Sequence, residues 1–304
     1  MPRRNTPRVS FIGFGEAGQA IASGLRDSGI ERVAAWDILF PEPKGAPLKA
    51  AGEKIGVRLA GSAAEAVAET DVIVSAVTAA CSYEAARSVA PHLAGNPYYL
   101  DINSVSPGRK QETEKLLGGR ARYVDVAVVA AIHPARHRTA LLIAGPHAEQ
   151  VAPLLRELDM QFAVVGAETG AAAAIKMIRS VMIKGIEALT LECFLAARRA
   201  GVLEEVTASL KNNYPGLDWP KISEYNLERM ASHGERRAAE MEESAATLRE
   251  LGLDPLMVDA TVKRQREMGA LGRDDAVRAA LAQGRGAMLD AIGAAKNKRK
   301  ACDF

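Results

Sequence analysis

Apolar residues come in short uninterrupted runs along the first half of the chain and at helical spacing along the second. The runs at Val9–Ile12, 32–37, 71–78, 98–104, Arg122–Val128, 140–144 and 162–165 predict strands covered on both faces. A helical pattern follows Gly18, and Pro107 opens another that carries residues 110–117. Strands alternating with helices over the first 165 residues predict an α/β fold with a doubly wound parallel sheet. From Gly170 onward the strand pattern stops. Helices are expected at Ala171–Ala200, 203–212, 221–230, 235–251, 256–268 and 274–292, with Gly252 and Pro255 as a stop and restart. The shift places a boundary near 166–170, giving domains 1–166 and 167–304, the second all-helical.

Composition narrows the class. With 304 residues the chain is long enough for two domains and a large core. A net charge of +2 gives no support for nucleic-acid binding, and no apolar run reaches membrane-spanning length. Residues 1–7 are basic, but Gly13 and Gly15 interrupt any signal-type apolar stretch. The basic tail 296–300 reads as a solvated end. Cys81, Cys193 and Cys302 are scattered without metal-ligand spacing, so a reducing cytoplasm is the expected home and neither a metal site nor a disulfide framework is expected.

The first strand runs into Gly13-Phe14-Gly15-Glu16-Ala17-Gly18, a G-x-G-x-x-G spacing between strand and helix. The first glycine permits a tight turn, the second a close backbone approach to a pyrophosphate, and the third close packing of helix on strand. The second strand ends in Asp37, about 20 residues on, where an acid meets ribose hydroxyls. Together these predict a dinucleotide site. Asp37 accepts from a free 2′-hydroxyl and repels a 2′-phosphate, which favours NAD, while Lys44 on the following loop keeps NADP possible. Val77 and Thr78 close the next strand at the sheet's ligand-binding end.

Three further stretches carry chemistry. Lys176, Ser180 and Lys184 share one face of the long helix, with Arg179 beside them. Unpaired buried charge is costly, which points to a functional Lys176, and a snorkelling edge lysine is the other reading. Asn103 and Ser104, within Asp101–Pro107, sit between a strand and a helix start, where they suit a substrate carboxylate or a helix N-cap. His233, Arg236, Arg237 and Glu240 fall on one helix face, as a solvated ladder or as an anion site in which His233 and an arginine reach the substrate.

These stretches together resemble the β-hydroxyacid dehydrogenase superfamily, which includes 6-phosphogluconate and 3-hydroxyisobutyrate dehydrogenases. Phe11–Gly18 looks like its cofactor motif. Asp101–Pro107 resembles its D-x-S-T-x-S-P substrate motif, with Asn103 and Ser104 in place of Ser and Thr, and Gly170–Lys176 resembles its catalytic G-x-G-x-x-x-K element. Residues 233–243 and 251–255 look like the branch with a phosphogluconate-dehydrogenase-like helical C-terminal domain. Two positions depart from the pattern. Arg179 replaces the family's usual Asn, and 125–131 lacks its Ser-Gly-Gly, with His133, Arg136 and His137 following in a loop. The resemblance implies a Rossmann domain, a homodimer, and an NAD- or NADP-dependent oxidoreductase acting on a small anionic 3-hydroxy acid or polyol acid. Lys176 would take the hydroxyl proton; Asn103, Ser104, Arg179, Lys184, His233 and Arg237 would hold substrate. Gly13, Phe14, Gly15, Glu16, Ala17, Gly18, Asp37, Val77, Thr78 and Asn103 would hold cofactor. An imine or ketone reductase on the same fold and a non-catalytic dinucleotide-binding protein remain alternatives. Decarboxylation of the product, and whether His233 comes from the same subunit as Lys176, are left open.

Overall fold

The computed structural model describes residues 6–302, the side chains of 299–302 excepted. Residues 1–5 of the basic N-terminus, the side chains of Arg299 and Lys300 in the tail, and that of Cys302 therefore lie outside the described residues. The chain divides into two compact units, 1–177 and 178–304.

The first unit is built on eight strands: β1 (Val9–Ile12), β2 (Val33–Trp36), β3 (Arg58–Leu59), β4 (Val72–Ser75), β5 (Tyr98–Asp101), β6 (Arg122–Val128), β7 (Leu141–Ala144) and β8 (Phe162–Gly166). They form one sheet in the order β3-β2-β1-β4-β5-β6-β7-β8. The connecting helices are α1 (Glu16–Asp27), α2 (Ala46–Ile55), α3 (Ala63–Val67), α4 (Ser82–Val89), α5 (Pro107–Leu117) and α6 (Ala148–Glu157). Core residues such as Phe11, Leu25, Val74, Leu100 and Ile143 bury the sheet on its helices.

The seven apolar runs thus form seven strands of the expected α/β sheet, with one reversal; the two-residue edge strand β3 is not among them. β6 and β7 pair antiparallel, so β7 and its parallel neighbour β8 run opposite to the rest. A parallel neighbour requires a crossover, usually a helix, whereas the 129–140 loop holds only a turn at Arg136–Arg138. Most of that loop is exposed, His133 and Pro134 included, but His137 and Thr139 are buried. Its turn lies on α1, where His137 packs so close to Gly24 that a Cβ there would sit 2.1 Å from His137 Nδ1. Arg136 donates to Ser23 and Asp27 of α1, and Arg138 pairs with Asp159.

α7 (Ala171–Ala200) runs from the first unit into the second, and the division falls after Met177. The second unit continues with α8 (Leu203–Asn213), α9 (Trp219–Glu250), α10 (Leu256–Leu271), α11 (Asp275–Ala280) and α12 (Arg285–Cys302). The expected break near Gly234 does not occur. Gly234 stays inside α9 because α10 crosses there, and a Cβ would lie 2.3 Å from the Gln265 carbonyl oxygen. The single helix expected over 274–292 is instead divided at Gly284, which takes φ +85°. Among the described residues no helix is long and apolar enough to cross a membrane, and no cluster of His, Cys, Asp or Glu is arranged for a metal ion. Cys81 and Cys193 are free thiols.

Candidate active site

At the carboxyl end of β1 the three glycines make a backbone cradle. Gly13 takes φ +90°, and a Cβ there would lie 2.4 Å from the Ala76 carbonyl oxygen. Gly18 is held as tightly, its Cβ falling 2.7 Å from the Gly13 carbonyl oxygen. A Cβ at Gly15 would meet nothing within 4 Å, so the loop packs hard on its inner side and is open at Gly15. α1 begins at the next residue, and no side chain caps it. Its first-turn N–H groups carry the positive end of the helix dipole, an arrangement that receives a phosphate. Glu16 is exposed, Ala17 is half-buried, and Phe14 packs into the core.

Asp37 follows β2 directly. Its Oδ2 accepts from Phe14 N at 2.7 Å and its Oδ1 from Leu39 N at 2.9 Å, which fixes the carboxylate beside the glycine loop. Ile38 beside it is 80% exposed, a large apolar side chain left in water. Val77 packs beside Gly13, and exposed Thr78 opens a short turn. An open, glycine-lined cradle at an uncapped helix start, with a fixed carboxylate beside it, fits the diphosphate and ribose of a dinucleotide.

The second part of the site lies where β5 ends. Asn103 is buried, and its amide is fully engaged: Nδ2 donates to Ser75 Oγ at 2.9 Å and to Asp101 Oδ1 at 2.7 Å, while Oδ1 accepts from Val77 N at 2.8 Å. It joins the ends of β4 and β5, so its contribution to ligands runs through the backbone it holds. Ser106 caps α5 by accepting from Arg109 N at 3.3 Å. Between them, half-buried Ser104 accepts from Lys176 Nζ at 2.6 Å. Lys176 comes from the second turn of α7, whose first turn is anchored by Asp125: its Oδ2 accepts from Gly170 N and Ala173 N, both at 3.1 Å. An ammonium and a hydroxyl separated by 72 residues of sequence thus meet at the carboxyl end of the sheet.

The remaining expected substrate residues lie in the second unit. Arg179 is exposed and His233 half-buried. Lys184 is buried, its Nζ donating to Ser180 Oγ at 3.1 Å and lying 2.9 Å from Glu240 Oε2. Burial lowers its pKa, and the Glu240 carboxylate opposes that shift. Arg237 is buried against Glu187, with Nε 3.0 Å from Oε2. Lys184 and Arg237 therefore each face a carboxylate inside the helical unit, and Arg236 also reaches Glu240, at 2.6 Å. Sequence reasoning passed over Asp101, Lys110 and Asp125, the buried charges under Ser104 and Lys176. One signal was available: Lys110, Thr113 and Leu117 share a single inward stripe of α5.

His137 gives this unit a pH dependence. Its Nε2 lies 3.1 Å from Ser28 Oγ, and its buried Nδ1 has no hydrogen-bond partner. Burial lowers its pKa below 6.5; Arg138 and Arg136 add to the shift, while Asp159 and Asp27 oppose it. The unfolded chain therefore binds a proton that the folded chain resists. Stability is lost as pH falls from about 6.5 toward the depressed folded value. Thermal melts at pH 7.5 and pH 5.5 should show a smaller acid-induced loss for His137→Leu than for the natural chain. Equal losses would remove His137 from this role.

Comparison with known proteins gives consistent results. Residues 8–104 match the family described as NADP oxidoreductase coenzyme F420-dependent, and residues 197–268 match a domain of unknown function, DUF1932. A conserved hypothetical protein from Sinorhizobium meliloti 1021 is 36% identical with a TM-score of 0.77, over 95% of this chain and 97% of that one. The conserved protein MTH1747, of unknown function and described as structurally similar to 3-hydroxyacid dehydrogenases, is 30% identical with a TM-score of 0.69, over 86% and 97%. The 3-hydroxyisobutyrate dehydrogenase of Mycobacterium tuberculosis is similar in fold, at 17% identity and a TM-score of 0.70, over 87% and 94%.

Proposed function

Because the chain belongs to the β-hydroxyacid dehydrogenase superfamily, we propose that it is a nicotinamide-dinucleotide-dependent oxidoreductase of small 3-hydroxy acids, with Lys176 as its proton-transfer group. The observation that carries this reading is the 2.6 Å contact between Lys176 Nζ and Ser104 Oγ. Gly13, Phe14, Gly15, Glu16, Ala17 and Gly18 would hold the diphosphate, Asp37 a ribose hydroxyl, and Val77, Thr78 and the backbone at Asn103 the adjoining part of the cofactor. When bound, the nicotinamide supplies the hydride acceptor for oxidation of an alcohol.

The residues of this chain do the rest. Lys176 in its neutral form accepts the hydroxyl proton at Nζ as the carbon is oxidised, a role a side chain fills when placed within hydrogen-bond reach. Ser104 accepts from that nitrogen and would share the substrate hydroxyl. The 103–106 segment ahead of α5 lies at the positive end of that helix, suited to the substrate carboxylate. Arg179 and His233 are proposed for a further anionic group of the substrate. Lys184 and Arg237, paired with Glu240 and Glu187, would contribute positive charge only as members of those pairs. A homodimer is the expected assembly: Ile178, Met182, Ile186 and Leu189 stay exposed along α7, an apolar strip of the kind a second copy covers.

Asp37 favours NAD, and the description of the N-terminal family makes NADP the competitor. The test is a fluorescence titration with NADH and NADPH in parallel, then a screen of 3-hydroxy acids with the tighter one. Tighter binding of NADH supports the Asp37 assignment; tighter NADPH assigns the preference to a cation such as Lys44. Binding of neither would end the reading. Turnover confined to carboxylate-free ketones or imines would replace it with an imine or ketone reductase.

A further inference from the structure

Beneath the Lys176–Ser104 contact lies a set of buried charges that takes no direct part in the proposed reaction. β5 and β6 pair so that Asp101 stands opposite Asp125, and Lys110 reaches both from the inner face of α5. Its Nζ donates to the Asp101 carbonyl oxygen at 2.5 Å and lies 3.2 Å from Asp101 Oδ1 and 3.5 Å from Asp125 Oδ1. The Val126 carbonyl oxygen is 3.4 Å away. All three charged side chains are at most 1% exposed. Withdrawing one ammonium and two carboxylates from water is costly, so the set persists only if each charge is compensated.

Each carboxylate turns its remaining capacity toward a different half of the candidate site. Asp101 Oδ1 accepts from Asn103 N at 3.0 Å and from Asn103 Nδ2 at 2.7 Å, which sets the turn that presents Ser104. Its Oδ2 accepts from the Tyr123 hydroxyl at 2.8 Å. Burial, and then the Asp101 charge, hold that phenol well above its ordinary pKa, so it stays a proton donor. Asp125 Oδ2 takes Gly170 N and Ala173 N, one turn before Lys176. Asp125 Oδ1 accepts no hydrogen bond and has the Lys110 ammonium as its charge partner.

We propose that Lys110 is a positioning residue for Lys176, coupling the Ser104 turn to the first turn of α7 through Asp101 and Asp125. One cation between two carboxylates makes the two halves a single piece. Without it the adjacent carboxylates repel each other across the β5–β6 pair, and Asp125 is pushed off the two α7 amides it holds. Lys176 Nζ then loses its register with Ser104 Oγ. This inference rests on the reading of Lys176 as the proton-transfer group.

The test uses the full chain carrying Lys110→Met and, separately, Asp125→Asn. The latter keeps an acceptor for the amides and removes the charge. Three quantities are read: dinucleotide affinity, hydrogen exchange of the Gly170 and Ala173 amides against those of β5 and β6, and the kcat–KM split. Expected are an affinity within about twofold of the natural chain, and exchange at Gly170 and Ala173 raised about tenfold with β5 and β6 still protected. We also expect kcat to be lowered about 10- to 100-fold with KM little changed, since a displacement of about 1 Å costs on that order. Unchanged exchange and kcat, or exchange raised equally through β5 and β6, would overturn the proposal and leave Lys110 a stabiliser of the sheet. If Lys110→Met does not fold, Asp125→Asn decides by the same readouts. Exchange and affinity need no turnover, so failure of the catalytic reading would be seen separately, in a fully active Lys176→Met.

Discussion

Lys176→Met is expected to lower kcat on the substrate by about 10³-fold, within the range a positioned general base supplies. Dinucleotide affinity should change by less than about twofold, because the removed atoms lie on α7 while the cradle is built from the β1–α1 loop. Methionine suits this test. It is unbranched, has nearly the helix propensity of lysine, and fills a half-buried position without the amine. The variant therefore separates proton transfer from folding and from cofactor binding. Kinetics with the preferred dinucleotide, alongside a fluorescence titration, measure both sides. A variant that turns over near the natural rate would assign the 2.6 Å contact to packing between α7 and the β5 end.

Glu187→Ala is expected to destabilise the helical unit by about 3–5 kcal/mol, the range for breaking one side of a buried ion pair. Glu187 accepts from Arg237 Nε at 3.0 Å and from Gln265 Nε2 at 2.8 Å, and its side chain is 2% exposed. Alanine would strand the guanidinium and the amide together, both of them buried. The melting temperature of the transition that includes α9 should fall on the order of 10 °C. Glu187→Leu combined with Arg237→Met should recover the part of the loss due to the stranded guanidinium, while Gln265 Nε2 stays without its acceptor. A double variant as unstable as the single one would show that packing, and not the stranded charge, accounts for the loss.

Lys176 and Arg237 are unequally legible in the sequence. Lys176 could be read from the sequence because a lysine on an apolar helical stripe, after a glycine-bearing turn, is locally anomalous. Ser104 was legible as a candidate at a strand end where ligands bind, but its pairing with Lys176, 72 residues on, was not. Arg237 was equally visible as a residue on a helix face, but its partner was not. Glu187 lies 50 residues away on another helix, and i, i+4 arithmetic along α9 points instead to neighbours on the same helix. The same limit applies to Lys184, which meets Glu240 across helices, and to Lys110, which joins two strands to a helix start.

What the amino-acid order determined by itself was local. Apolar runs set every strand but β3, the glycine spacing at 13, 15 and 18 set the cradle, and periodicity over Ala171–Ala200 set α7, because backbone conformation and face burial depend on near neighbours. Only the tertiary structure decided the direction of β7 and β8, the continuity of α9 through Gly234, and which charge compensates which. Spacing along a helix or strand says which face a side chain shares, whereas a buried ion needs a counter-charge from whatever element the fold brings opposite it.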